Sequence, residues 1–189
     1  MEDIRIIGYG VLDAGEKLRV SADVDRIFFA ASSVQSFEDE TQRAAFRWLW
    51  LGRYLEREPE HAFVAMLNGI TCGYLVGSLA DPAPRPEFAS LPYFQNFAVH
   101  TARFPAHLHI NVDDGCRSRG VGEQLVTRFE AHALQSGVAG LHVVTGAGMR
   151  NVRFYDRLGF AEVARAPHKG GHVVMLAKAL SSVLDGKSL

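Results

Sequence analysis

Cysteine is scarce: Cys72 and Cys116 are the whole complement in 189 residues. They lie far apart along the sequence and match no metal-binding or redox spacing. Two cysteines cannot build a disulfide framework, so free thiols in a reducing, cytoplasmic setting are expected. An excess of charge of one sign is also missing. The formal net charge is -1, so no global field draws nucleic acid or an acidic membrane surface. No apolar run approaches the roughly 20 residues of a membrane span. The start, MEDIRIIGYG, carries acids where a secretory signal carries basic residues. Internal repeats and low-complexity segments are absent. Neither a nucleic-acid nor a membrane partner is expected. What remains is an ordinary soluble composition, 48% hydrophobic and 22% charged, with enough apolar material to bury a core unaided. The length suits one domain.

Periodicity divides the chain. Residues 4–9 read as a strand, and so does KLRV (17–20). Ser21 then offers a helix N-cap, with Val24, Ile27, Phe28 and Ala31 on one face. ETQRAAFRWLWLGRYLEREP reads as a second helix, with Phe46, Leu49, Trp50 and Tyr54 at helical spacing. HAFVAML and TCGYLVGSLA read as strands, and the Asn68-Gly69 dipeptide between them marks a tight hairpin. Residues 81–106 are rich in proline and aromatics and read as a long irregular segment. Two readings of it stand side by side: lining of a substrate site, or structural cover. AHLHINV (106–112) is a strand. Beyond it Val121, Leu125, Phe129 and Ala133 fall on one helical face, which Gly137 ends. GLHVVTG (140–146) is a strand, residues 150–160 a short helix, and AEVARA and HVVMLAKAL a last hairpin. The strand–helix–strand run in the middle implies a locally parallel pair within a mixed sheet.

The most telling stretch is CRSRGVGEQL (116–125). It follows a strand and opens an amphipathic helix. A helix N-terminus leaves amide N–H groups unpaired and carries partial positive charge. Gly120 and Gly122 let a ligand approach the backbone, and Arg117 and Arg119 add charged donors. The alternatives are an anion cradle and simple loop punctuation. The Gly-Lys-Ser/Thr ending of a Walker loop is missing, as is the third glycine of a dinucleotide fingerprint.

VDDGCRSRGVGEQL resembles motif A of the GNAT N-acetyltransferase superfamily, Arg/Gln-x-x-Gly-x-Gly/Ala, at Arg117, Gly120 and Gly122. FYDRLGF (154–160) resembles its motif B. The resemblance is best over about residues 60–180, and the two N-terminal helices fit the family's variable front portion. FPAHLHINV and GLHVVTGAG also resemble the acetyltransferase-like C-terminal domain of O-GlcNAcases and its free-standing bacterial relatives. The resemblance implies an α/β (α+β) fold, one domain over residues 1–189. It implies a central mixed, mostly antiparallel sheet of about 6–7 strands flanked by about four helices. It implies acetyl-CoA as co-substrate, no metal, and acetyl transfer to a primary amine on a small molecule or peptide. The oligomeric state stays open, a homodimer among the options. The alternative is a weak or inactive acyl-CoA-binding module on the same fold.

Roles follow position by position. Val112 would offer backbone groups to the pantetheine arm and thioester. Arg117, Ser118, Arg119, Gly120, Val121, Gly122 and Glu123 would surround the pyrophosphate. Tyr155 would protonate the departing thiolate or orient its sulfur. Many relatives carry an Asn ahead of the motif B tyrosine that touches the cofactor. Here that position is Gly148. Asn151 could substitute if the helix starts differently, or the stretch TGAGM (145–149) could let backbone approach the pantetheine instead. The general base is less legible. His107, His109 and Asn111 share one face of their strand. Asn111 cannot accept a proton at neutral pH, so His109 is the candidate. A structural, hydrogen-bonded histidine is the competing reading of His109.

Overall fold

The computed structural model describes residues 4–168 and 170–181. Its elements, in chain order, begin with β1 (Ile4–Gly8), α1 (Ala14–Ala31) and α2 (Glu40–Arg47). A π-helical turn (Trp48–Gly52), α3 (Arg53–Arg57), β2 (Phe63–Leu67) and β3 (Ile70–Ser78) follow. Then come α4 (Tyr93–Asn96), α5 (Ala98–Arg103), β4 (Ala106–Val112) and α6 (Val121–Gln135). The chain ends with β5 (Gly140–Gly146), α7 (Arg150–Arg157), β6 (Ala161–His168) and β7 (Gly171–Ala179). The seven strands are ordered β1-β2-β3-β4-β5-β7-β6. The chain gathers into two units, Met1–Ser78 with Leu108–Phe129, and Leu79–His107 with Glu130–Leu189. No helix among the described residues is long and apolar enough to cross a membrane.

In the first unit, β1 runs antiparallel to β2 and β2 antiparallel to β3. Asn68 and Gly69 both have positive φ, 52° and 82°. That pair of angles is what a two-residue hairpin of this hand requires. Residues 17–20, expected as a strand, lie inside α1 instead, and Ser21 is interior to it rather than its cap. The cause is local. The Asp13 carboxylate accepts from the Glu16 amide at 2.8 Å, and the Glu16 carboxylate accepts from the Asp13 amide at 3.0 Å. This reciprocal pair starts the helix one turn before the apolar stripe becomes regular. Val20, Val24, Ile27 and Phe28 then form its buried face.

The second expected helix is continuous in sequence but changes pitch. α2 gives way to the π turn Trp48–Gly52 before α3 resumes. A π turn widens the helix by one residue and recurs at functional sites. Leu51 and Tyr54 are buried in this run, and Arg47 Nε donates to Asp25 of α1 at 2.8 Å.

In the second unit, β4 pairs in parallel with β5 at Ala106↔Leu141 and His107↔His142. β7 runs antiparallel to both β5 and β6. The segment 81–106 is less irregular than its composition suggests, since it forms α4 and α5. Phe88, Tyr93, Phe94 and Phe97 within it are all 5% exposed or less. Phe88 and Phe94 pack on the buried His107 ring at 5.1 and 5.6 Å, and Phe94 also meets His142. The segment is therefore a structural cover within its unit. Gly140 is obligatory for the same packing: a Cβ there would lie 2.8 Å from the Phe104 ring.

Candidate active site

β4 ends at Val112, and the chain then bends sharply. The Asp113 amide donates to the Cys72 carbonyl of β3 at 2.9 Å. The Asp113 carboxylate takes the Gly115 amide at 3.0 Å and Arg26 Nη1 at 2.5 Å. The Arg26 contact, with the Gly115 amide, holds the Asp113 carboxyl below its usual range. Residues 114–116 make one tight 3-10 turn. Ser118 and Gly120 follow in left-handed conformation, at φ 62° and 80°. Left-handed backbone at two positions turns the chain into the start of α6. The first helical bond runs from Gln124 N–H to Gly120 O at 3.0 Å. The amides of Val121, Gly122 and Glu123 therefore have no carbonyl one turn back to donate to.

The residues around these amides are exposed from Arg117 to Gly120, while Val121 is buried and anchors the helix. Arg117 is not wholly devoted to a ligand, because its guanidinium pairs with Asp114 at 2.6 Å. Gly73 on β3 lies beneath the same corner. A Cβ on Gly73 would come within 3.1 Å of the Asn111 carbonyl and 3.2 Å of Val121. Val112 is half-buried and lines a cavity of about 190 Å³ with Arg26, Ile27, Asp113 and Asp114. A larger cavity, about 250 Å³, lies against the first half of α1 and is lined by Glu16, Arg19, Met66 and Thr71. It holds none of the predicted site residues.

His109 sits between two aromatic rings of the neighbouring helical run, Trp50 at 5.3 Å and Tyr54 at 5.5 Å. Asn111, two residues on, donates its amide to the Tyr74 hydroxyl at 2.7 Å. Burial raises the Tyr74 phenol well above its ordinary value. The alternation of β4 thus gives His109 and Asn111 polar and aromatic company in the first unit. His107 belongs with the aromatic cover of the second.

Tyr155 and Asn151 are both on α7, in the second unit. Tyr155 is 5% exposed and packs on Phe154 and Phe160 at 5.1 and 5.4 Å. Burial raises its phenol, so the hydroxyl holds its proton. The Asn151 side-chain oxygen accepts from the Thr145 hydroxyl at 3.0 Å.

The structure therefore brings His109, Val112 and residues 117–123 together along one unit of chain, and sets Tyr155 and Asn151 on a separate helix. Trp50, Tyr54, Tyr74, Arg26 and Asp113 are neighbours of the site that sequence reasoning did not assign. Trp50 and Tyr54 stood one helical turn apart and read as core. Nothing local paired them with His109.

A family model for the acetyltransferase (GNAT) family matches residues 22–160. The match takes in segments of both units and contains every predicted site residue. The chain belongs to the acetyltransferase (GNAT) family. Its enzyme class is thereby N-acetyltransferase. The fold is shared with solved family members along nearly the whole chain. The structure of SsHAT is 23% identical with a TM-score of 0.72, over 95% of this chain and 100% of that one. A polyamine N-acetyltransferase of Drosophila melanogaster, which forms N-acetylagmatine, is 17% identical with a TM-score of 0.64, over 94% and 100%. A chain of the NatC complex bound to Gag peptide and CoA is 16% identical with a TM-score of 0.62, over 96% and 100%.

Proposed function

We propose that the protein transfers the acetyl group of acetyl-CoA to a primary amine on a small molecule or peptide. The observation that carries this reading is the corner between β4 and α6. Left-handed Ser118 and Gly120 precede a 15-residue helix whose first amides have no partner one turn back. That donor set fits a diphosphate, which takes several N–H donors at once and favours the positive end of a helix. Arg117, Ser118 and Arg119 supply side-chain donors around it. Val112, half-buried beside a cavity, is suited to offering its backbone groups to the pantetheine arm. Asn151 already shares its side-chain oxygen with Thr145, which leaves its amide as the donor toward the cofactor.

Acetyl transfer to an amine needs an acceptor for the amine's proton, a polarised carbonyl and a donor to the thiolate. We assign the first role to His109, whose imidazole nitrogen can accept a proton. Tyr155 takes the last, supported by its position in motif B and by a phenol that burial keeps protonated. The polyamine N-acetyltransferase and the NatC complex bound to a peptide, both of this fold, support the amine class of acceptor. The stretches FPAHLHINV and GLHVVTGAG support a place beside the O-GlcNAcase-type acetyltransferase-like domains. Two free thiols support a reducing, cytoplasmic setting.

Calorimetry with acetyl-CoA tests the reading directly: absence of binding at millimolar ligand sinks it. Tyr155→Phe should slow turnover by about a hundredfold while leaving acetyl-CoA affinity in place. Equal losses in both would assign Tyr155 to packing instead.

A further inference from the structure

Cys72 and Cys116 are distant in sequence and adjacent in the fold. Cys72 lies on β3 and is 1% exposed, while Cys116 closes the 3-10 turn after β4 and is half-exposed. The chain holds them together at two points. The Asp113 amide donates to the Cys72 carbonyl at 2.9 Å, and the Cys116 amide donates to the Asp113 carbonyl at 2.9 Å. The Cys116 thiol lies close enough to the Cys72 thiol to bear on its ionisation. A Cβ on Gly73, beside Cys72, would press on the Asn111 carbonyl at 3.1 Å and on Val121 at 3.2 Å, so β3 and the corner are in close contact. Neither thiol has a part in the proposed acetyl transfer. Cys116 immediately precedes Arg117, where the proposed diphosphate cradle begins.

We propose that this pair is a redox modification site, in which a hydroperoxide drives a reversible Cys72–Cys116 disulfide that closes the acetyl-CoA cradle. The inference rests on the proposed function for its consequence, though not for its chemistry. Cys116 is the accessible thiol and reacts first. Its sulfur takes one oxygen from the hydroperoxide, becoming a sulfenic acid and releasing an alcohol or, from hydrogen peroxide, water. The Cys72 thiol then attacks that sulfur. The S–S bond forms, the S–OH bond breaks, and the hydroxyl leaves as water with the Cys72 proton. Two thiols are oxidised by two electrons and one hydroperoxide is reduced by two. A dithiol reverses the bond by exchange. Burial and the neighbouring Cys116 push the Cys72 thiol up to about 11. The second step therefore quickens as pH rises, because the thiolate is the nucleophile.

The consequence follows from geometry. Two free thiols lie farther apart than the ~2.05 Å of a disulfide. Closing that gap draws residue 116 onto β3, and the left-handed residues 118 and 120 must readjust with it. The amides of Val121, Gly122 and Glu123 then lose the approach that the present loop leaves open.

The test treats the full-length protein with hydrogen peroxide, blocks residual thiols and maps peptides without reductant. The expected result is a linked peptide joining Cys72 to Cys116 within one chain, lighter by two hydrogens and lost on adding dithiothreitol. In parallel, acetyl-CoA affinity by calorimetry should fall at least about tenfold and recover with dithiothreitol. Cys72→Ala and Cys116→Ser should each abolish the linked peptide and hold affinity constant under peroxide. No linked peptide, or links only between chains, overturns the modification site. A linked peptide with unchanged affinity overturns the regulatory role. If the reduced protein binds no acetyl-CoA, the proposed function falls, and the peptide map alone still decides the disulfide.

Discussion

The corner at residues 113–120 and the segment 81–106 are both places where the chain stops being a strand. One is rich in glycine and arginine, the other in proline and aromatics. They reach opposite ends. At the corner, Arg117 to Gly120 are exposed and the next three amides lack a helical partner. In the segment, Phe88, Tyr93, Phe94 and Phe97 are buried, and His107 and His142 are enclosed with them. Residues that bend a chain announce where it turns. What the turn does depends on whether polar groups or apolar rings are left over once it is made. Apolar rings are driven into contact by their area. Amides at a helix start stay available until water or an anion takes them.

The contrast can be broken from the aromatic side first. Phe97 is 2% exposed. Phe97→Ala should destabilise the fold by about 3–5 kcal/mol, read from urea unfolding midpoints. A loss below about 1 kcal/mol would mean the segment is not core.

The buried histidine gives the next effect. Burial lowers the His142 imidazole to about 4, partly offset by the bond from Nδ1–H to the Phe104 carbonyl at 2.5 Å. The unfolded chain binds this proton near 6.5, so it holds more protons than the folded one between those values. Stability is whole above pH 6.5 and is lost as pH falls toward 4, by up to about 3 kcal/mol. His142→Leu should lower stability at pH 7 yet lose less between pH 7 and 4.5 than the parent. Equal pH dependence in the two proteins would remove His142 as the cause.

On the other side of the contrast, Gly120→Asp sets a carboxylate against the proposed diphosphate. Affinity for acetyl-CoA should fall about a hundredfold. The left-handed φ of 80° adds a stability cost of about 1–2 kcal/mol. Gly120→Ala carries that strain without the charge and separates the two. Similar affinity losses for Ala and Asp would show that shape, not charge, matters.

The smallest effect is at Arg117, which is paired with Asp114 and 47% exposed. Arg117→Gln should change stability by less than about 1 kcal/mol. It should weaken acetyl-CoA only a few-fold, with the difference fading in high salt. A large loss insensitive to salt would make Arg117 a closer partner of the ligand than its exposure implies.

Much of this was readable in one dimension. The Asn68-Gly69 hairpin, the buried face of α6, β5 at residues 140–146 and the final strand pair all stand where their periodicity put them. So does the glycine corner, down to the left-handed Gly120. The start of α1 was also legible, in the Asp13-x-x-Glu16 capping box that precedes residues 17–20. The short helices α4 and α5 in 81–106 were not legible, because proline and aromatic content says little about pitch in pieces this short. Nor was the π turn at Trp48–Gly52, which holds Trp50 and runs into α3, where Tyr54 lies.

The sequence alone determined what near neighbours decide: caps, turns, alternation, and the motif that places a helix start after a strand. These depend on groups a few residues apart, whose reach is set by the backbone itself. Only the tertiary structure decided which distant groups meet. It set His109 against Trp50 and Tyr54, tied Asn111 to Tyr74, enclosed His142 and brought Cys72 to Cys116. Each of those contacts depends on strands and helices packing side by side, which no spacing along the chain encodes.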